Sequence, residues 1–460
     1  MTTFNPISRR NALICLILSA SLSIAWALAI DTSRHGGALG DFRAIYYGAR
    51  TAINHHDPYK PDQFLQVYRQ EGGNFPTEPD RLRSFSRAVP VCVNLPTTLL
   101  VVLPLALLSW VPAHFIWMAL LPASLIIAAW LMWDLAETRA PGFILFLSCL
   151  LLANCENLLL LGNGSGMAMS LGAIAVWCFL KQRHEILGIV CFTLGLALKP
   201  QEIGLIWLFF LLAGGTYRKR AWQVAGAATV VATLSLLWVS QASPHWIEEW
   251  RANIAATSMR GDLNDPGPTS IGNQAVGMIV SLQSVISYFW DDPHIYNPVA
   301  LLIGGALILI WCIVTVRSRP SREGALLAIA SMAALSLLPI YHRQYDTKIL
   351  LLTLPACALL WAQKSPLRKL ATAITTVGII FVSDIPVASM VMLRKSLNLP
   401  LDQFHGQLFS VLLGRTPTLA LLLVGSFYLW AYAKYEVMDR AKASASAETE
   451  PELDMAALSA

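Results

Sequence analysis

Apolar stretches follow one another along this chain with too little polar sequence between them to close a soluble domain. Runs at 91–108, 113–133, 142–161, 167–180, 186–198, 201–213 and 222–239 come first. After a polar interval at 240–298, runs at 299–316, 324–338, 349–361, 370–382 and 418–432 complete the series. A bilayer crossing needs about 20 apolar residues, and they must be helical because hydrocarbon offers backbone polar groups no partner. The 460 residues are 55% hydrophobic and 13% charged, whereas soluble domains carry about 25% charged residues. The pattern predicts an all-α polytopic membrane protein of about 11–13 transmembrane segments. Residues 1–433 read as one membrane domain, and 434–460 as a disordered cytoplasmic tail. Several runs are short and contain Pro or Gly, as broken helices lining a polar cavity do.

The run at 11–30 follows Arg9 and Arg10 and reads as an uncleaved first crossing, which puts the N-terminus in the cytoplasm. Basic clusters at 181–184, 217–220, 317–322 and 364–369, with Lys434, then fall inside as well. The alternating polar intervals fall outside: a first external loop at about 31–90, a second at about 240–298, and the segments 340–346 and 383–415. This scheme needs an even number of crossings between 91 and 161, where three runs stand, so one of them is expected to be broken or re-entrant. The eight cysteines lie in apolar runs without a CxxC pair, which argues against a disulfide framework or a zinc site. No basic cluster sits on a soluble fold, so nucleic acid is excluded as a partner and the lipid bilayer takes its place.

The first external loop holds the most structured polar sequence, GDFRAIYYGARTAINHHDPY from Gly40 to Tyr59. Phe42, Ile45, Tyr46, Ala49, Ala52 and Ile53 recur at helical spacing and make one apolar face, with Arg43, Tyr47, Arg50 and Asn54 on another side. Such a helix lies on the bilayer surface. A second surface helix is expected over 62–71, burying Phe64, Leu65 and Tyr68, followed by loop to residue 88. Asp57 before Pro58 reads as an Asx turn. His55, His56 and Asp57 have no outlying ligand at a diagnostic spacing, so no metal is assigned to them.

Asp41 opens a helix, where a carboxylate serves either as an N-cap or, partly desolvated at the membrane boundary, as a general base. Lys199 ends an apolar run before Pro200 and either snorkels to headgroups or marks a binding site. His342 and Arg343, in IYHRQYD with Asp346 and Lys348, lie between apolar runs on the expected outer side. With Lys199 they form a candidate anion site at headgroup depth, the alternative being an interfacial anchor. Asn163 in GNGSG can bond polar ligand groups or end a helix. Glu156 and Asn157 interrupt a hydrophobic run, and Trp246, Trp250 and Tyr296 either stack on a sugar or belong to an aromatic belt.

DFRAIYYGARTAINHHDPY after the first crossing, NLPTTLLVVLPLALL (94–108), LGNGSGMAMSLGAIAVWCFL (161–180), LGIVCFTLGLALKPQEIGLIWLFFLL (187–212) and LLPIYHRQYDTKILLL (337–352) together resemble glycosyltransferase family 87, within the GT-C superfamily. Their order and membrane placement carry the resemblance. It implies a GT-C-like helical bundle whose large first extracytoplasmic loop carries amphipathic surface helices. It further implies an inverting transfer of a hexose, taken as mannose, from a polyprenyl-phosphate-sugar donor to a glycan or glycolipid acceptor at the outer face of the cell membrane, with no cofactor. Matched residue by residue, Asp41 becomes the base, Lys199, His342 and Arg343 the donor-phosphate residues, and Arg43, Tyr47, Tyr59 and Asn163 candidate substrate contacts. Relatives usually carry Gly-Gln where this chain has Gly162-Asn163, one methylene shorter. A lipid-linked saccharide transporter or flippase is the different-class alternative, disfavoured by the absence of an evident internal repeat; a structural subunit is another. Transfer requires Asp41 to share one cavity with Lys199 and Arg343, within about 10 Å.

Overall fold

The structure, a computed structural model, describes residues 7–33, 40–136, 141–271, 278–363, 367–398 and 403–449. Among them the chain is helical, apart from turns and a single antiparallel bridge between Ile279 and Arg343. Among the described residues seven helices are long and apolar enough to cross a membrane: Arg9–Asp31, Trp110–Ala136, Gly164–Lys181, Gly215–Ala242, Pro293–Arg317, Gln344–Ala362 and Thr416–Met438. An eighth crossing results if Leu367–Val382 and Asp384–Leu397, bent by 69°, count together. Four shorter apolar helices, Pro96–Ala106, Gly142–Leu152, Glu185–Leu198 and Pro200–Leu212, supply the rest. The expected count of about 11–13 treated each of these as a full span. That count is corrected by length: 11 residues in Pro96–Ala106 reach only about 16 Å, against a hydrocarbon core of about 30 Å.

The broken run is the one expected at 142–161. Helix Pro141–Leu152 ends, the backbone turns through 153–155, and a short helix Glu156–Leu161 follows. The break is tied down by polar groups, with the Cys155 amide donating to Ser23 Oγ at 2.8 Å and Asn154 Nδ2 to the Leu150 carbonyl at 2.9 Å. A second interruption lies at Ser383, and Asp384 just past it accepts at 2.8 Å from Lys348 Nζ and at 2.9 Å from the Asn157 amide. Lys348 and Asp384 are both almost fully buried, and a buried charge persists only when paired. One carboxylate therefore pins two chain breaks together, and Lys348 is used there.

Basic side chains converge at one end of the bundle. Asp134 Oδ1 meets Arg9 at 3.0 Å, while its Oδ2 accepts from Lys181 and Trp177 at 2.9 Å, which joins the ends of three crossings. The polar first loop builds a separate layer. Helix Gly40–Ile53 packs on Pro96–Ala106, with Gly48 leaving room for Leu99. Phe42 stacks on Trp117 with ring centroids 4.6 Å apart, and Tyr47 meets Tyr68 edge-on at 4.8 Å. Aromatic pairs of this kind add about 0.5–1.5 kcal/mol beyond burial. The second surface helix, Pro61–Gln70, buries Phe64, Val67 and Tyr68; Val67 takes the place expected for Leu65 because i, i+3, i+4 defines the face.

Helices also enter three stretches outside the apolar runs. The loop assigned to 72–88 contains a helix, Pro79–Ala88, started by a proline in its first turn and held by Phe85 against Tyr68 and Phe75. The segment 383–415 holds helices Asp384–Leu397 and Phe404–Gly414. The last helix, Thr416–Thr449, continues into the stretch from Lys434 that was expected to be disordered, while 450–460 lie outside the described residues.

Replacing Phe42 by Ala is expected to destabilise the surface layer by about 3–5 kcal/mol. Thermal unfolding in detergent should read this as a lowered midpoint with the helical circular dichroism retained at low temperature. An unchanged midpoint would mean that the aromatic stack does not hold the helix.

Candidate active site

Asp41 stands in the first turn of helix Gly40–Ile53, where the surface layer meets the crossings. Its Oδ2 accepts a 2.5 Å hydrogen bond from Asn163 Nδ2 and a longer one, 3.5 Å, from the Tyr345 hydroxyl. Oδ1 carries none among the described residues. Asn163 is fixed in turn. It is the N-cap of helix Gly164–Lys181, its Oδ1 accepting the Ser165 amide at 2.8 Å, while Nδ2 also donates to Tyr345 at 2.9 Å. The preceding Gly162 adopts a left-handed conformation (φ 61°), which lets the chain end one short helix and cap the next within two residues. An asparagine that reads in sequence as a ligand contact is here a positioning residue that aims Asp41.

Lys199 lies at the non-helical junction between Glu185–Leu198 and Pro200–Leu212, forced there by Pro200. Its ammonium donates to Ser165 Oγ, and that hydroxyl donates to Glu202 Oε1 at 3.3 Å. The same ammonium is 3.7 Å from Glu202 and 3.8 Å from Asp346, and 5.7 Å from the Tyr345 ring centroid. Lys199 thus shares two neighbours with Asp41: Tyr345 directly, and Asn163 through Ser165.

Arg343 and His342 come from the strand-like segment before the 3₁₀ helix Gln344–Thr353. This segment is paired to 278–280 through the Val280 amide on the His342 carbonyl (2.8 Å) and the Gln344 amide on the Met278 carbonyl (3.0 Å). Asp346 Oδ2 accepts the Arg343 amide at 2.7 Å, and the Asp346 amide donates to the Arg343 carbonyl at 2.9 Å. The Arg343 guanidinium donates to Tyr341, to the Leu263 carbonyl (2.9 Å) and to Asn264 Oδ1 (3.1 Å), so it holds the 261–270 loop over the site. His342 is almost fully buried, with Nδ1 3.2 Å from the Ile340 carbonyl. Burial pushes its pKa below the ordinary value, so the ring is neutral. With its proton on Nδ1, Nε2 can only accept, which fits a backing residue better than a phosphate cation.

Burial is the largest influence on Asp41 and raises its pKa above the usual 3.8. The Asn163 bond, Lys199 and Arg343 pull in the opposite direction without cancelling it. Both cations therefore lie within electrostatic reach of the carboxylate. A carboxylate that is more basic than normal, yet held by two donors on one oxygen only, can take a proton on the other.

The remaining candidates separate from this cluster. Tyr59 is fully buried, its hydroxyl on the Asn94 carbonyl at 3.0 Å and its own carbonyl held by Asn253. Tyr47 is enclosed by Tyr46, Tyr68 and Trp110, and Arg43 lies over the Trp110 ring at 5.3 Å. These three, expected to touch substrate, make packing contacts here: the aromatic layer takes in the helix side that carries Arg43 and Tyr47, and Tyr59 is enclosed beyond the end of that helix. Asp57 makes the expected turn, accepting the Tyr59 amide at 2.9 Å. Trp250 donates to the Val93 carbonyl, and Tyr296 lines a cavity of about 240 Å³ together with Arg260, Asn264, Asp265, Gln283 and Tyr341. Arg343 joins that cavity to the Asp41 cluster through Asn264 and Tyr341. Among the described residues no three His, Cys, Asp or Glu side chains gather to hold a metal.

The profile of glycosyltransferase family 87 matches residues 94–340, more than half of the chain. The chain belongs to this family. No curated protein and no solved structure matches it. The match makes the protein a membrane glycosyltransferase, acting on a sugar donor and an acceptor in the bilayer's company. Tyr345, Ser165, Glu202 and Tyr341 are site residues that the sequence reading passed over. Each is an uncharged hydroxyl or a carboxylate beside a residue already singled out, and Glu202 in an apolar run was the detectable signal.

Asn163→Ala removes a bond that lowers the Asp41 pKa, so that pKa should rise further. The acid limb of kcat/KM for sugar transfer should then move to higher pH than in the wild type, the direction expected of a general base that acts deprotonated. A pH–rate profile with an unmoved acid limb would contradict the positioning role.

Proposed function

We propose that this protein transfers a hexose, mannose being the favoured sugar, from a polyprenyl-phosphate-sugar donor to a hydroxyl of a glycan or glycolipid acceptor, with Asp41 as general base. Asp41 Oδ1 takes the proton of the acceptor hydroxyl, whose oxygen attacks the anomeric carbon as the bond from that carbon to the phosphate oxygen breaks. Attack opposite the leaving group inverts the anomeric centre. The departing polyprenyl phosphate gains negative charge, and Lys199 is the cation placed to receive it, with Arg343 adding its field and fixing the loop above. Hydrogen bonds to developing charge in a water-poor site carry more weight than in bulk water.

The observation that carries this reading is the continuous linkage Asp41–Asn163–Ser165–Lys199, closed on its other side by Tyr345. It supports a base and a phosphate-side cation facing one space. The 240 Å³ cavity beyond Arg343, with its amide, carboxylate and tyrosine lining, suits the hydroxyl-rich acceptor. Convergence of Arg9 and Lys181 on Asp134 at the opposite end of the bundle favours cytoplasmic termini and an extracytoplasmic site. The lipid donor is favoured over a nucleotide sugar because the sequence holds no Gly-rich phosphate loop of the dinucleotide type.

Purified protein is to be incubated with radiolabelled polyprenyl-phosphate-mannose and a membrane lipid extract. Asp41→Asn should lower kcat by about 10²–10⁴, the usual contribution of a general base, with expression and insertion intact. Lys199→Ala should raise the donor KM by about tenfold or more, the loss of one charge-assisted bond. Undiminished turnover by Asp41→Asn would remove the base assignment. Equal labelling from a nucleotide-linked mannose would remove the lipid donor.

A further inference from the structure

Away from the Asp41 cluster, two arginines flank one tyrosine near the junction of helices Phe404–Gly414 and Thr416–Thr449. Arg415, the residue between those helices, is 1% exposed, and its Nε and NH2 have no hydrogen-bond partner among the described residues. Its guanidinium carbon lies 5.3 Å from the centroid of the Tyr288 ring. Arg394, from helix Asp384–Leu397, donates through NH1 to the Tyr288 hydroxyl at 2.5 Å, and its buried Nε is also unpartnered. The Arg394 stem runs against Gly414, where an added Cβ would come within 3.0 Å of its Cδ. Thr416 and Thr418 present buried hydroxyls without partners in the first turn of the final helix.

Among the described residues neither arginine forms an ion pair. Buried guanidinium groups left in this state are costly, and two of like charge on one ring compound the cost. Burial lowers the pKa of Arg415, and Arg394 beside it adds to the effect. An anion relieves all of these at once. The donors available, guanidinium edges and hydroxyls at a helix N-terminus, match a phosphate. The surroundings select its source. Leu393, Leu397, Phe404, Leu408 and Leu412 are exposed around the junction, and Arg415 immediately precedes the crossing Thr416–Met438. A polar anion site at the mouth of a crossing, with uncovered apolar side chains beside it, suits a headgroup whose acyl chains lie along the helices.

We propose that Arg394, Arg415 and Tyr288 hold the phosphate of an anionic membrane lipid, at a site separate from the transfer centre. It rests on none of the catalytic assignments.

The test is native mass spectrometry of the full-length protein in detergent, titrated with phosphatidylglycerol, phosphatidylcholine or inorganic phosphate. Phosphatidylglycerol should bind in preference to phosphatidylcholine, and Arg394→Gln and Arg415→Gln should each weaken it by about tenfold, with Arg394→Lys retaining part. Arg394 is only half-buried, so Arg394→Gln decides the matter if Arg415→Gln fails to fold, and thermal midpoints identify that case. Unchanged phosphatidylglycerol binding in Arg394→Gln would overturn the proposal. So would equal binding of phosphatidylcholine, or displacement of the lipid by equimolar inorganic phosphate.

Discussion

A carboxylate at the edge of hydrocarbon must either find donors or give up its charge, and the architecture around Asp41 answers that requirement with one short bond from Asn163. That bond links the two parts of the molecule, since Asp41 belongs to the surface layer and Asn163 to the crossings. The same amide caps helix Gly164–Lys181, so the end of a membrane helix and the aim of the carboxylate are set by one side chain. Ser165, two residues on, passes the constraint to Lys199. The site is therefore assembled at chain breaks: a left-handed Gly162, the Lys199-Pro200 junction and the start of a 3₁₀ helix. Irregular backbone in a membrane protein is tolerated where it is buried in protein with its polar groups partnered, and Asn163, Lys199 and Asp346 supply such partners at these breaks.

The aromatic layer has a related purpose. Phe42 follows Asp41 directly, and its stack on Trp117 fixes the first turn of the surface helix against a crossing. Arg50 reinforces the other end by pairing with Glu71 and by donating to the Ala106 carbonyl at 2.9 Å. Rigid support of this kind suits the base proposed at Asp41, because a small misplacement of the reacting oxygen costs much of its effect. Deeper in the bundle, the Lys348–Asp384 pair plays the corresponding part for the two broken crossings.

Much of this was legible in the residues themselves. Helical spacing in Gly40–Ile53 and the Asx turn at Asp57 follow from local patterns, and the alternation of basic clusters requires one break between 91 and 161 without saying which run carries it; Asp41 is joined to Lys199 and Arg343 only by the family resemblance. What was not legible depended on partners distant in sequence. Tyr47 and Tyr59 look like ligand contacts until the aromatic layer that encloses them is known. Asn163 looks like a ligand until Asp41 is seen to occupy its amide. Full crossings cannot be told from half-length helices by apolarity alone, since both are greasy; Pro104 within Pro96–Ala106 and Pro200 were the clues. Arg394 and Arg415 lie some 20 residues apart, and only the fold brings both to Tyr288.

The central claim is that the donor's leaving phosphate and the acceptor's proton are received in one pocket, by Lys199 and Asp41. A cryo-electron microscopy structure with a non-transferable polyprenyl-phosphonate sugar tests it most directly. The phosphonate should lie within hydrogen-bond distance of Lys199 Nζ, with the face of the anomeric carbon opposite the phosphonate turned towards Asp41 Oδ1. A phosphonate bound away from Lys199, or a sugar screened from Asp41, would contradict the account.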